Sequence, residues 1–163
     1  MTSPGSGRVA AALIVHRLRD EWRATPFYTA ALRGPRTAGL ASAPRDFRPP
    51  DPQCGRAVLE GRFAFAGTEL RTGAGGDPWN QPSPSRLLAV KLHRFAWLPD
   101  LLSLGDEGAM EALRLWLAWE ALFGRVPDAF SWGADVLERR LFNLACGSDA
   151  LARAASEAEA AAL

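Results

Sequence analysis

The sequence predicts a mainly α-helical protein carrying one small β-hairpin and a proline-rich strap near its N-terminus. Three observations predict it. Apolar residues recur three and four apart over long segments that end at glycine. Strand-like character is confined to Arg62–Leu70. Four prolines, Pro44, Pro49, Pro50 and Pro52, crowd one short stretch. With 163 residues, 48% of them hydrophobic and six tryptophans, the chain has the size and apolar content of one packed domain.

The elements follow in order. Residues 1–7 read as a flexible start. An N-terminal helical segment spans 8–33, with Leu13, Arg17 and Leu18 at helical spacing and Pro26 as a kink; Gly34-Pro35 ends it. Proline pushes its predecessor toward extended geometry, so Ala43 to Pro52 reads as a stiff strap. Two β-like runs flank Ala66-Gly67-Thr68 as a hairpin, and the glycine-rich loop after it ends at Trp79, completing a 43–82 region of strap, hairpin and loop. From 83 to 163 the pattern is a helical array. Ser83-Pro84 carries a start signal, because proline lacks an N–H where none is needed, and this helix is expected to run to Leu104 with a bend at Pro99. A second runs from Asp106 to Phe123 and is apolar nearly all round, so it needs cover on most sides. A third spans Ala134 to Cys146, and Ser148 caps a last, alanine-rich helix to Leu163.

Composition narrows the function classes. The formal net charge is +1, the basic residues are nearly all arginine with Lys91 the one lysine, and they are scattered. A nucleic-acid partner is not expected from that balance. No apolar run approaches the roughly 20 residues that cross a bilayer, so no membrane span is expected. Val9–Val15 is too short for a signal peptide and continues into charged residues, so the compartment is unknown and cytoplasmic by default; a misassigned start would leave a periplasmic location open. Cys54, Cys146, His16 and His93 make no zinc pattern, and neither a metal nor a cofactor is expected. Free thiols are the simpler reading of the two cysteines. Gly73-Ala74-Gly75-Gly76 lacks the lysine of a phosphate loop, and Glu157 and Glu159 read as a solvated helix face.

Several segments, in this order and spacing, resemble the N-terminal region of bacterial heparinase II/III-like polysaccharide lyases. They are Phe47-Arg48-Pro49-Pro50-Asp51-Pro52, Gly61-Arg62-Phe63-Ala64-Phe65-Ala66-Gly67 and Gly76-Asp77-Pro78-Trp79. Pro82-Ser83-Pro84-Ser85, Leu92-His93-Arg94-Phe95-Ala96-Trp97-Leu98 and Arg139-Arg140-Leu141-Phe142-Asn143-Leu144 follow. The resemblance implies a partial α/α toroid of helical hairpins, an incomplete domain over 1–163, and β-elimination of a uronic-acid-containing polysaccharide by the whole enzyme. It also implies that the remainder of its own chain is a partner.

β-Elimination needs a neutraliser for the uronate carboxylate, a base and an acid. Tyr28 is the one tyrosine and matches no family motif, and the sequence ends before an Asn-His motif, so no catalytic residue is carried over. The chain alone is expected to be incompetent for catalysis. Trp79, His93, Arg94, Trp97, Arg140 and Asn143 are the candidate groove residues. His93 and Trp97 lie four apart on a helix, where packing between helices outweighs sugar stacking about two to one, since aromatics at that spacing are usually core. Arg140 and Asn143, flanked by leucines, suit buried hydrogen bonding. Trp79 is the aromatic most expected at the surface, though a loop tryptophan folded onto the helices is as much expected as a sugar platform. The alternative function is a small helical scaffold or protein-interaction module docking through the Trp116/Trp119 helix.

Overall fold

The computed structural model describes residues 42–124, 128 and 130–161, together with Ile14, Val15, Leu18 and Trp22. Those four are helical, but the rest of the expected 8–33 segment, including His16, Pro26 and Tyr28, lies outside the described residues, as do residues 1–7. Among the described residues the protein is mainly helical, with five helices and one two-stranded antiparallel sheet.

Residues 42–51 have no regular structure, as their prolines dictate, and the strap ends in a helix that the proline pattern concealed. Helix α1 spans Pro52–Leu59. The carboxylate of Asp51 accepts from the N–H groups of Gln53 and Cys54, and Pro52 stands in the first turn where a missing N–H costs nothing. Strands β1 (Arg62–Phe65) and β2 (Thr68–Arg71) form the expected hairpin, Phe63 pairing with Leu70. The turn is the two residues Ala66 and Gly67, both at positive φ, which matches the twist of the strands. Phe63 and Leu70 turn inward while Arg62, Ala64 and Glu69 face water.

The helix expected from Ser83 to Leu104 is two helices. Its cap is Ser85 rather than Ser83, with Ser85 Oγ accepting from the Leu88 N–H at 3.1 Å. Helix α2 runs Arg86–His93, and α3 runs Leu98–Leu102. The break falls before Pro99, at Phe95, whose φ of +55° no bulky side chain adopts without strain. That strain is held by burial: Phe95 and Trp97 are both fully inaccessible. Helix α4, Asp106–Phe123, has its expected bounds, with Asp106 and Glu107 in the first turn beside the positive end of the helix dipole.

The two last helices expected are one, α5, over Ala134–Ala161. Gly147 does not end it. A Cβ there would meet the Leu102 side chain at 2.7 Å, so the glycine lets α5 lie close on α3. Ser148 is no cap; its hydroxyl bonds back to the Ala145 carbonyl inside the helix. At 1.5 Å per residue α5 is about 42 Å long, enough to pack against α2, α3 and α4. The core lies between these helices and the hairpin, centred on Phe63, Leu88, Phe95, Trp97, Leu101, Leu115 and Trp119.

Candidate functional site

An aromatic cluster from α2, α4 and the loops beside them surrounds Arg140 of α5 beneath the surface clefts. Arg140, on α5, is only 2% exposed although it carries a full charge. Its guanidinium stacks over Trp119 at 4.1 Å and Trp132 at 5.1 Å. Its Nη1 donates to the carbonyls of Ser131 at 2.7 Å and His93 at 3.2 Å. Burial lowers its pKa to about 10, against which the nearby Asp128 acts only partly. Asp128 is held by the backbone N–H groups of Phe130 and Ser131 and by the Ser131 hydroxyl. Burial opposes its charge, but those hydrogen bonds prevail and its pKa falls below the ordinary value.

His93 ends α2 with its ring among Trp79, Trp119, Phe123 and Phe130. Trp119 Nε1 donates to His93 Nδ1 at 3.0 Å, so Nδ1 is the acceptor and the ring is neutral. Burial, with Arg140 adding to it, lowers the His93 pKa to about 4 despite the opposing charge of Asp128. Trp79 is buried rather than exposed: Pro78 precedes it, its N–H is held by Asp77, and its indole Nε1 donates to the Leu115 carbonyl at 3.0 Å. Trp97 is wholly buried, its indole bonded to the Leu92 carbonyl. Trp79, His93, Trp97 and Arg140 therefore share one interior.

Asn143 and Arg94 belong to the surface above it. Asn143 is 3% exposed, and its amide N–H groups donate to the carbonyls of Arg94 at 2.8 Å and Phe95 at 3.2 Å. This clamps the strained turn between α2 and α3. Its Oδ1 accepts from Arg48 Nη2 at 2.6 Å, so the same side chain fastens the strap to α5. Around that anchor lies an open cleft of roughly 250 Å³ lined by Arg48, Lys91, Arg94, Ala96, Arg139 and Asn143. Asp46 chelates Arg48 and Asp135 binds Arg94, while Arg139 has only a 3.8 Å approach to Glu138. Lys91 has no ion pair among the described residues, and the Arg94 Nε is buried with no hydrogen-bond partner there.

Arg48 and Asn143 also line a second, more apolar hollow with Asp46, Pro50, Pro99, Leu102, Ser103, Cys146 and Gly147. Sequence reasoning singled out Arg94 and Asn143 but not Arg48, Lys91 or Arg139. These come from the strap, α2 and α5, and no pattern along the chain links them. Cys54 and Cys146 are both free thiols. A third hollow, between α4 and α5, is almost purely apolar and is lined by Leu113, Trp116, Leu144, Leu151, Ala152 and Ala155 with Ser148.

Fold and clefts together describe a helical domain with one basic surface depression and two more apolar ones. The chain is similar to FtsZ-localized protein C of Caulobacter vibrioides, being 47% identical over 141 residues. The match covers 86% of this chain and 24% of that protein, so the chain spans about a quarter of the relative's length. No family model matches the chain, and no solved structure matches it. The relative's name ties that protein to FtsZ and to no carbohydrate chemistry, which overturns the resemblance to heparinase II/III-like lyases. The lyase function, its carbohydrate vocabulary and the uronic-acid-containing polysaccharide partner are withdrawn with it. The physical reason for the error is that short Pro/Trp/Arg segments satisfy packing needs common to many helical proteins. Among the described residues no helix is long and apolar enough to cross a membrane.

Proposed function

We propose that this chain is a helical protein-interaction module that helps associate its protein with FtsZ and the division machinery. The observation that carries the proposal is the 47% identity to FtsZ-localized protein C across 86% of the chain. The geometry supports it through rigid surface depressions rather than a flat face. Arg94 and Asn143 take part as cleft residues, with Arg48, Lys91 and Arg139 beside them. Trp79, His93, Trp97 and Arg140 act from beneath, by holding α2 and α5 in place.

The finer architecture belongs to the same proposal: α4 and α5, packed against each other, are one helical hairpin of a partial α/α toroid within a single domain. The apolar depression between them, with Leu117 53% and Leu122 45% exposed on α4, is the kind of face that a neighbouring hairpin covers.

The experiment is co-sedimentation of the purified chain with assembled FtsZ polymers. Pelleting that rises with polymer and saturates supports the proposal. A chain that stays in the supernatant at FtsZ concentrations well above micromolar overturns it, and places any FtsZ association in other parts of the protein.

A further inference from the structure

We infer that the cleft between the strap, α2 and α5 receives an acidic segment of a protein partner that bears an apolar side chain next to its carboxylates. The inference rests on the proposed role as an interaction module and specifies the chemistry of what that module holds.

Four cationic side chains from three separate elements converge on one depression: Arg48 from the strap, Lys91 and Arg94 from the end of α2, and Arg139 from α5. In a chain of formal net charge +1 with scattered arginines, that local concentration is not a consequence of composition. The opposing carboxylates are Asp46, Asp135 and Glu138, with Asp100 acting on Arg48 through its charge from α3. Two of them already show how the site takes a carboxylate. Asp46 sits in the fork of Arg48, with Nε and Nη2 each donating to it, and Asp135 accepts from Arg94 Nη2 at 2.8 Å. Lys91 and the buried Arg94 Nε remain without such a partner among the described residues, and Arg139 has only a distant one. The exposed Arg139 guanidinium and the half-exposed Lys91 ammonium are the capacity left for a visiting anion, while the buried Arg94 Nε only adds to the positive field beneath them.

The neighbouring hollow decides between kinds of anion. It shares Arg48 and Asn143 with the basic cleft and continues it over Pro50, Pro99 and Leu102. A lone phosphate has no use for apolar walls beside its cations. An extended peptide does, because alternate side chains reach neighbouring depressions while its carboxylates meet the guanidinium groups. Asn143, buried and bonded on both sides, is the rigid divider between the two halves.

The test is heteronuclear NMR on the whole 163-residue chain, titrated with a short synthetic peptide holding Asp-Glu-Leu-Glu in a glycine-serine frame. Parallel titrations use the same peptide with Asn and Gln for its acids, and inorganic phosphate. Saturable shifts at the amides of Arg48, Lys91, Arg94, Arg139 and Asn143, weakening steeply with salt, are expected from the acidic peptide alone. The double variant Lys91→Glu, Arg139→Glu changes exposed or half-exposed side chains that make no hydrogen bond or ion pair with the interior. It should weaken the peptide at least fivefold with its melting temperature unchanged. Absence of cleft shifts at millimolar peptide, equal shifts from the uncharged peptide, or phosphate binding as tightly as the peptide would each overturn the inference. The double variant also separates the two proposals. Unchanged pelleting of that variant with FtsZ removes the cleft from partner binding and leaves the module's role standing, whereas failure of the unaltered chain to pellet removes the role itself.

Discussion

Arg140 offers the sharpest test of how the interior is held, because large opposing effects meet on one side chain. In Arg140→Met the stem still fills its place but the guanidinium is gone. Two hydrogen bonds from a charged donor to backbone carbonyls are lost, worth about 2 kcal/mol each. The desolvated stack over Trp119 and Trp132 contributes about 2 kcal/mol more. Against this stands the burial of the cation. The fall of its pKa from 12.5 to about 10 corresponds to about 3 kcal/mol against the charged form. The difference leaves Arg140→Met about 3 kcal/mol less stable, with the Ser131 carbonyl stranded. For a chain of this length that is a melting temperature lower by about 10 °C, read by circular dichroism together with the urea midpoint. Arg140→Lys keeps a charge but neither the fork nor the flat stacking surface, and is expected to lose as much. A methionine variant as stable as the parent would refute the reasoning, showing that desolvation of the guanidinium outweighs everything it touches.

The remaining predictions concern pH, the clamp and the helix glycines. The folded state holds the His93 proton less tightly than the unfolded state, so its contribution is fully present above pH 6.5 and is lost as pH falls toward about 4. The loss should reach about 2 kcal/mol after allowance for solvent screening at the half-buried ring; urea midpoints between those pH values should slope downward, and His93→Gln should flatten the slope. Asn143→Ala should cost about 3 kcal/mol by releasing the Arg94 and Phe95 carbonyls, with Asn143→Asp worse because a carboxylate then faces them; hydrogen exchange at residues 94–97 reports the loosened turn. Gly108→Ala gains about 1 kcal/mol of helix propensity, but its new Cβ falls on the Leu101 carbonyl oxygen, so a net loss of about 1–2 kcal/mol is expected in thermal melts. Gly147→Ala meets only the end of the flexible Leu102 side chain and should be within about 0.5 kcal/mol of neutral in the same measurement.

Much of the secondary structure was legible along the chain because its causes are local. The hairpin follows from two β-like runs flanking Ala66-Gly67-Thr68, where Gly67 adopts positive φ freely and Ala66 is held there by the turn, and α4 from an unbroken apolar helical pattern ending at Gly124. Asp51-Pro52 carried the same kind of start signal as Ser83-Pro84, yet it begins a helix while Ser83-Pro84 does not. The distinction is made outside the motif: Asp51 is tied through its N–H to Asp100 on α3, whereas Ser85 is bonded to Thr68 of the hairpin and takes over the cap. Glycine usually ends helices, and the expected break falls at Gly147, but here the glycine lies within α5 against the movable end of the Leu102 side chain.

Local physics in the sequence determined helical class, the hairpin and the irregular course of the proline-rich strap, since each depends on neighbours within a few residues. Tertiary structure alone decided that Trp79 is buried, that Phe95 bears a strained turn and that Arg48, Lys91, Arg94 and Arg139 meet. Those outcomes depend on residues up to 95 positions apart, as Arg48 and Asn143 are, being brought within hydrogen-bonding range. Only the packing of α5 across the other helices does that, and the energy of such packing is not written in any one segment.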